Sequence, residues 1–252
     1  MRPGVGDRAA ASRMSALGRP RVHLRSVDST NDRARLLAIA GAPHGTLVTA
    51  SFQTAGRGRQ GRRWTAPSDS SLLMSLLLRS PPALLPLIAA VAVCDVAGDA
   101  TQIKWPNDVV LPRADGLAKL AGILVEGRPQ EDWAILGIGL NVALRVDELP
   151  AELRERTATL GKSSDEIEPS LEQLLQALAR RLAEGQAATL KAWRARDVLY
   201  GSEIAWGPQS PAGWAGQGRA EGIDGAGRLV VALADGGHAA LHAGEVHLRD
   251  ID

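Results

Sequence analysis

Apolar and polar positions along the chain change period often enough for its elements to be read one by one. Residues 21–28 form a strand-like stretch that ends at Ser29-Thr30-Asn31. From Asn31 to Ala40 the apolar spacing is helical, with Ala34, Leu37 and Ala38 on one face, until Gly41 stops it. A β-rich run from Thr46 to Phe52 enters a loop over 53–64, and Ser71 to Leu78 reads as another strand. An apolar helix over 84–97 ends at Gly98, and Gln102 to Trp105 leads into Pro106-Asn107-Asp108. Three strand-like runs follow at 108–111, 119–126 and 132–142. The last two are almost continuously apolar, as in a sheet covered by helices. The stretch 168–196 reads as one long helical region. At about Tyr200 the pattern changes to short apolar runs between turn signals: Pro208 to Pro211, Asp224-Gly225, Asp235-Gly236-Gly237 and Ala243-Gly244. Four or five short strands in that space read as a small barrel. The pattern therefore predicts an α+β domain over 21–199 and a β module over 200–252. Residues 1–20 read as a disordered lead-in in which Met14 is a second candidate start.

Composition narrows the class. The 252 residues are 45% hydrophobic and 23% charged, the balance of an ordinary soluble globular chain. A net charge of +1 provides no global field toward nucleic acid or membrane, so any basic site has to be local. The single cysteine, Cys94, has no internal disulfide partner, and no Cys/His spacing matches a zinc site; both fit a cytoplasmic location. The most apolar stretch, 84–96, is too short to cross a bilayer and contains Pro86 and Asp95, so no membrane association is expected. The first twenty residues carry four arginines and no apolar run, unlike a secretory signal.

The candidate chemistry lies in the loop. Residues 56–64 (GRGRQGRRW) place Arg57, Arg59, Arg62 and Arg63 among three glycines, and no carboxylate occurs between Ser51 and Ser68. Glycines allow successive backbone N–H groups to turn toward an anion, and guanidinium forks suit phosphate or carboxylate. Trp64 offers a flat face to a ring. The segment lacks the Gly-Lys-Ser/Thr of a Walker loop and is not a dinucleotide fingerprint. Read alone, it is a solvated loop, a nucleic-acid loop or a small-anion site. Its place straight after a β-run favours an anion-binding cover that orders when the anion arrives.

Other segments accompany the loop in order: Asp28-Ser29-Thr30-Asn31 before it, then KWPND at 104–108, KLAGILVE at 119–126, GIGLNV at 137–142 and AGEVHLR at 243–249. Together they closely resemble the biotin–protein ligase family, from about residue 25 onward, with KWPND and KLAGILVE the most specific pair. The resemblance implies a catalytic core related to that of class II aminoacyl-tRNA synthetases and a C-terminal SH3-like β-barrel. It implies an enzyme that forms biotinyl-5′-AMP from biotin and ATP, with Mg²⁺ on the nucleotide, and transfers biotin to a lysine of a biotin carboxyl carrier protein. Some members carry an N-terminal winged-helix domain. With about twenty residues before the match, that domain and DNA binding are not expected here, and the chain is expected to act as a monomer or homodimer.

The resemblance also implies roles. Ser29, Thr30, Asn31 and Gln53 would line a biotin pocket, and Arg57, Gly58, Arg59 and Lys119 would cover the junction of carboxylate and phosphate. Arg62, Trp64, Asn107, Asp108 and Asn141 would lie near ATP, with Arg57, Arg59, Lys119 and Asp108 carrying the chemistry. Structural readings stand beside these. Ser29 to Asn31 is also a helix N-cap with Asp32 in the first turn. Lys119 is also a surface lysine, Asn141 a turn residue, and Asp108 a partner for Lys104. His238, His242 and His247 read as surface strand residues, and Trp206 and Trp214 as core packing. Two alternatives remain for the whole chain: a lipoate–protein ligase sharing the core fold, and a nucleic-acid-binding module using the Arg loop. Near-neutral charge and the presence of only Phe52 and Trp64 as stacking groups near the loop oppose the second.

Overall fold

The structure, a computed structural model, describes residues 17–114, 116–207, 214–242, 244 and 246–248. Strands β1 (Arg21–Val27), β2 (Leu47–Gln53), β3 (Ser71–Arg79), β4 (Gln102–Lys104), β5 (Asp108–Arg113), β6 (Gly116–Arg128) and β7 (Trp133–Asn141) form one sheet in the order β1-β2-β3-β7-β6-β5-β4. Only the β1–β2 pair is parallel, and helix α1 (Thr30–Ile39) makes its crossover; every other pair is antiparallel. Both faces of the sheet are covered, as the continuous apolar runs predict. Along β3, Leu72, Met74, Leu76 and Leu78 enter the main core, whereas Leu77 joins Ala34, Ala38, Val48 and Ile135 under α1.

The main core is built around α2 (Leu85–Ala97), which is buried along almost its whole length from Leu85 to Cys94. A helix apolar on all sides has to be enclosed, and α4 (Ile167–Ala183) and α5 (Gln186–Arg194) enclose it on the side away from the sheet; a short α3 (Ala151–Arg154) precedes them. Cys94 is a fully buried core residue whose thiol is pushed up by burial. Asp95 takes a fork from Arg181 at 2.7 and 2.8 Å and a third bond from Arg180. Burial opposes its charge, but the two guanidiniums hold the carboxyl below the usual range.

The stretch 168–196 is helical with one break: Glu184 is extended, and Gly185 opens α5 as its N-cap. Glycine costs about 1 kcal/mol relative to alanine inside a helix, so the chain turns where that residue falls. At the other end, residues 17–20 are already fixed. Gly18 N–H donates to Gly45 O and Leu47 N–H to Pro20 O, both at 2.9 Å. The remainder of the expected lead-in, Met14 included, lies outside the described residues.

The C-terminal strands β8 (Glu203–Trp206), β9 (Gly216–Ile223), β10 (Leu229–Ala232), β11 (His238–Leu241) and β12 (Val246–Leu248) form an antiparallel sheet in the order β11-β10-β9-β8-β12. The turn at Asp224 is closed by its carboxylate, which accepts the N–H groups of Ala226 and Arg228; residues 208–213, including the Pro208 to Pro211 signal, are not described. Ile204, Ala220, Leu229 and Val231 belong to the same core as the larger sheet, and Trp105 Nε1–H donates to Gly227 O at 3.1 Å. Trp206 packs on that core, and a Cβ on Gly216 would lie 2.2 Å from its ring; Trp214 meets His247 with ring centroids 4.4 Å apart. No helix among the described residues is long and apolar enough to cross a membrane.

Asp197 stands where the chain leaves the α+β part, bridged in parallel to Ile103. One carboxylate oxygen accepts Leu199 N–H at 3.0 Å, while Oδ2 is buried without a partner. Burial pushes its pKa up from 3.8 to about 6, against the backbone bonds from Leu199 and Tyr200. The folded state therefore holds this proton more tightly than the unfolded chain. Above pH 6 the charged form costs stability, roughly 2–3 kcal/mol from a shift of this size; the penalty fades as pH falls from 6 toward 4. Asp197→Asn is expected to be more stable than the wild type at pH 8 and nearly equal to it at pH 4, measured by urea unfolding at both.

Candidate active site

On the α1 side of the sheet, β3, β7 and β6 set small residues in register: Ser75 opposite Gly137, and Gly139 opposite Gly122. Residues two apart on a strand share a face, so Gly137 and Gly139 open one floor. A Cβ on Gly137 would stand 2.2 Å from Asn31 Oδ1, one on Gly139 2.5 Å from the Trp64 ring, and one on Gly122 3.0 Å from the same ring. The glycines make room for a cleft of about 530 Å³ lined by Ser29, Thr30, Asn31, Gln53 and the Arg57 to Arg62 loop.

The first turn of α1 forms one end of this cleft. Ser29 occupies the N-cap position with extended backbone, but its hydroxyl makes no capping bond. Gln53 replaces it: Oε1 accepts Thr30 N–H at 2.8 Å and the Thr30 hydroxyl at 3.0 Å. Ser75 Oγ, fully buried, lies 2.9 Å from Thr30 Oγ1 and 2.5 Å from Asn31 Oδ1. Asn31 Nδ2 donates to Glu126 Oε2 at 2.8 Å. Ser29, Thr30, Asn31 and Gln53, four of the residues that the resemblance assigns to biotin, are thus brought together at one end of the cleft.

The loop is a small closed hairpin. Trp64 N–H donates to Gly56 O at 3.0 Å and Gly58 N–H to Arg62 O at 2.7 Å, with Arg57 and Arg63 bridged between them. A Cβ on Gly56 would lie 2.4 Å from Trp64 O, so this close approach requires glycine. Arg63 Nη2 donates to Thr54 O within the loop at 2.6 Å, whereas Arg57 and Arg59 find partners across the cleft. Arg57 pairs with Asp32 at 2.7 Å and Glu126 at 2.8 Å; Arg59 Nη1–H donates to Asn107 Oδ1 at 3.2 Å. Burial lowers the pKa of Arg59, with Asp108 opposing and Arg62 adding to the shift.

At the opposite end Lys119 is not a free surface lysine. Its Nζ lies 2.8 Å from Asp108 Oδ1 and 5.6 Å from the Trp64 ring centroid, within range of a cation–π contact. Asp108 faces Lys104 across β4 and β5 and forms an ion pair with Lys119. Asn107 Nδ2 donates to Ile123 O at 2.8 Å and is held in the wall. Asn141 does not line the cleft. Buried, it accepts from Ser71 Oγ at 3.1 Å and donates to Ala158 O at 2.9 Å. The segment it ties down carries Arg156 O and Ala158 N, which bond the backbone of Lys119, so Asn141 stands one step behind that lysine.

A second compartment of about 1150 Å³ shares Arg57, Gly58, Arg59 and Asn107 with the first and reaches Gly227 and His242 of the C-terminal sheet. His242 is exposed at this rim, and exposed His238 lies 3.0 Å from Glu221. The sequence reading missed Asp32, Glu126, Ser75 and the glycine floor. The signal for the floor was present in the alternation of Gly137-Ile138-Gly139.

Over 270 aligned residues the chain is 31% identical to the biotin–[acetyl-CoA-carboxylase] ligase of Mycobacterium tuberculosis, covering 99% of this chain and 98% of that protein. The chain belongs to the biotin–protein ligase family. Residues 23–142 match the biotin/lipoate A/B protein ligase family, and residues 215–249 match the biotin protein ligase C terminal domain. The second match weighs against the lipoate alternative. The bifunctional ligase/repressor BirA of Bacillus spizizenii is 40% identical over 60% of this chain but only 49% of its own length, so the chain spans about half of that relative. A biotin protein ligase from Aquifex aeolicus in complex with biotin and ATP superposes with a TM-score of 0.74 at 27% identity, over 92% of this chain and 99% of that one. The mixed α+β fold with a C-terminal β-sheet module is the fold of this ligase family.

Proposed function

We propose that this chain activates biotin with ATP to biotinyl-5′-adenylate and transfers the biotinyl group to a lysine of a biotin carboxyl carrier protein, in the cytoplasm. One observation carries the reading: hydrogen-bonding groups suited to a ureido ring (Ser29, Thr30, Asn31, Gln53) occupy one end of a cleft whose other end holds Arg59, Asn107 and Lys119. On this reading the core is related to class II aminoacyl-tRNA synthetases, and the strands after residue 200 form a small SH3-like barrel packed against it.

The first step brings two anions together. A carboxylate and a phosphate 4 Å apart repel by about 4 kcal/mol at an effective dielectric near 20. Lys119 and Arg59 offset that repulsion and stabilise charge developing on the α-phosphate as the carboxylate oxygen attacks and pyrophosphate leaves. Gly58 contributes backbone at the same junction, and Arg62 and Trp64 stand along the nucleotide. ATP would bring Mg²⁺ with it, and the ion would be held mainly by phosphate oxygens and water, adding positive charge at the phosphates. In the second step the carrier lysine attacks the acyl carbon and AMP leaves. Asp108, released as Lys119 turns to the phosphate, takes the proton of the incoming ammonium.

Calorimetry with biotin followed by a pyrophosphate-release assay tests the reading. Biotin is expected to bind and to trigger ATP-dependent pyrophosphate release, and lipoate to do neither. Release with lipoate alone, or salt-sensitive nucleic-acid binding without biotin-dependent release, would overturn it.

A further inference from the structure

Arg57 has surroundings that the ligase chemistry does not explain. Both terminal nitrogens are engaged by carboxylates, Nη1 with Asp32 in the first turn of α1 and Nη2 with Glu126 on β6. The guanidinium therefore spans the mouth of the cleft from helix to sheet, and it belongs to the first arm of the hairpin. Glu126 has a second engagement, because its other oxygen accepts Asn31 Nδ2 at 2.8 Å. A carboxylate only accepts, so it fixes the Asn31 amide with nitrogen toward β6 and oxygen toward Ser75. One side chain thus ties the loop and a pocket-lining asparagine to the same strand.

We propose that Glu126 is a positioning residue for biotin: through Arg57 it latches the hairpin over the pocket end of the cleft, and through Asn31 it sets the polarity of the pocket wall. The proposal rests on the ligase reading and refines it. Arg57 is held on both sides by carboxylates, one of which, Asp32, also pairs with Arg35. The side chains of Arg57, Glu126 and Asp32 keep 38%, 27% and 28% of their exposure, so each pair is water-accessible and individually weak. A latch of this strength opens for ligand exchange and is weakened by salt.

The test compares the wild-type chain with Glu126→Gln and Glu126→Asp. The readouts are steady-state kinetics in biotin and trypsin cleavage of the ligand-free loop between Arg57 and Arg63, at low salt and in concentrated sodium chloride. Glu126→Gln is expected to raise KM for biotin about tenfold while kcat falls less than about threefold, the split of a lost binding interaction. Loop cleavage should accelerate about tenfold at low salt, with the gap to wild type narrowing at high salt as screening removes the ion pairs. Glu126→Asp, which keeps the charge and loses reach, should fall between the two on both readouts. Unchanged KM and cleavage in the Gln variant overturn the proposal, as does a collapse of kcat at unchanged KM. If the Gln variant does not fold, the Asp variant decides, and wild-type values in both readouts would overturn it. A wild-type chain without biotin-dependent pyrophosphate release would remove the ligase reading. Cleavage, which needs no substrate, still judges the latch.

Discussion

Lys119→Met is expected to slow biotin-dependent pyrophosphate release by about 10²–10³-fold, the effect of removing one well-placed donor from a developing anion, about 3–4 kcal/mol. The side chain lies across Trp64 with its ammonium 2.8 Å from Asp108, so methionine keeps most of the packing and loses the charge. Biotin affinity by calorimetry should change little, because Thr30, Asn31 and Gln53 line the other end of the cleft. Asp108 Oδ1 then loses its partner while buried from water, so stability should fall by about 1–3 kcal/mol. A rate loss below tenfold would remove Lys119 from the reacting centre. A parallel loss of biotin affinity would place it in the pocket instead.

Much of this arrangement was legible in sequence wherever the signal is local. The strands at 21–28, 119–126 and 132–142 and the apolar helix ending at Gly98 follow from period and punctuation alone, and the structure places them within a few residues. The break at Gly185 was hidden because the Leu/Ala/Glu/Arg pattern runs through it, and a single glycine is tolerated in many helices. Among the site residues, those in the first turn of α1, in the loop and at 107–119 converge because the sheet order runs β3-β7-β6-β5. That same sheet order created what the sequence could not show. Arg57 lacks a carboxylate within its own loop, yet Asp32 and Glu126 come to it from α1 and β6. Asn141, at the end of a glycine-rich motif, has the appearance of a site residue. Burial and the bonds to Ser71 and Ala158 instead make it a tie behind Lys119. Local chemistry fixed residue types; sheet order decided which of them face the cleft.

The glycine floor separates the two halves of the site by experiment. Gly137→Ala puts a methyl group 2.2 Å from Asn31 Oδ1, and Asn31 has little freedom to yield because Glu126 holds its nitrogen and Ser75 its oxygen. Forcing a methylene into packed surroundings costs about 1–3 kcal/mol, and a displacement near 1 Å in a binding group costs about a hundredfold. Gly137→Ala is therefore expected to weaken biotin binding about a hundredfold and to lower the melting temperature. Gly139→Ala meets the Trp64 ring at 2.5 Å, but that indole comes from a hairpin and can swing away, so the fold should keep its melting temperature. Biotin affinity should then fall far less than the rate of pyrophosphate release, since the displaced ring is the one that Lys119 rests on. Calorimetry, thermal unfolding and pyrophosphate release on the two variants decide the matter. Equal losses of biotin affinity in both would mean that the floor supports one undivided pocket, with no division between the α1 end and the Lys119 end.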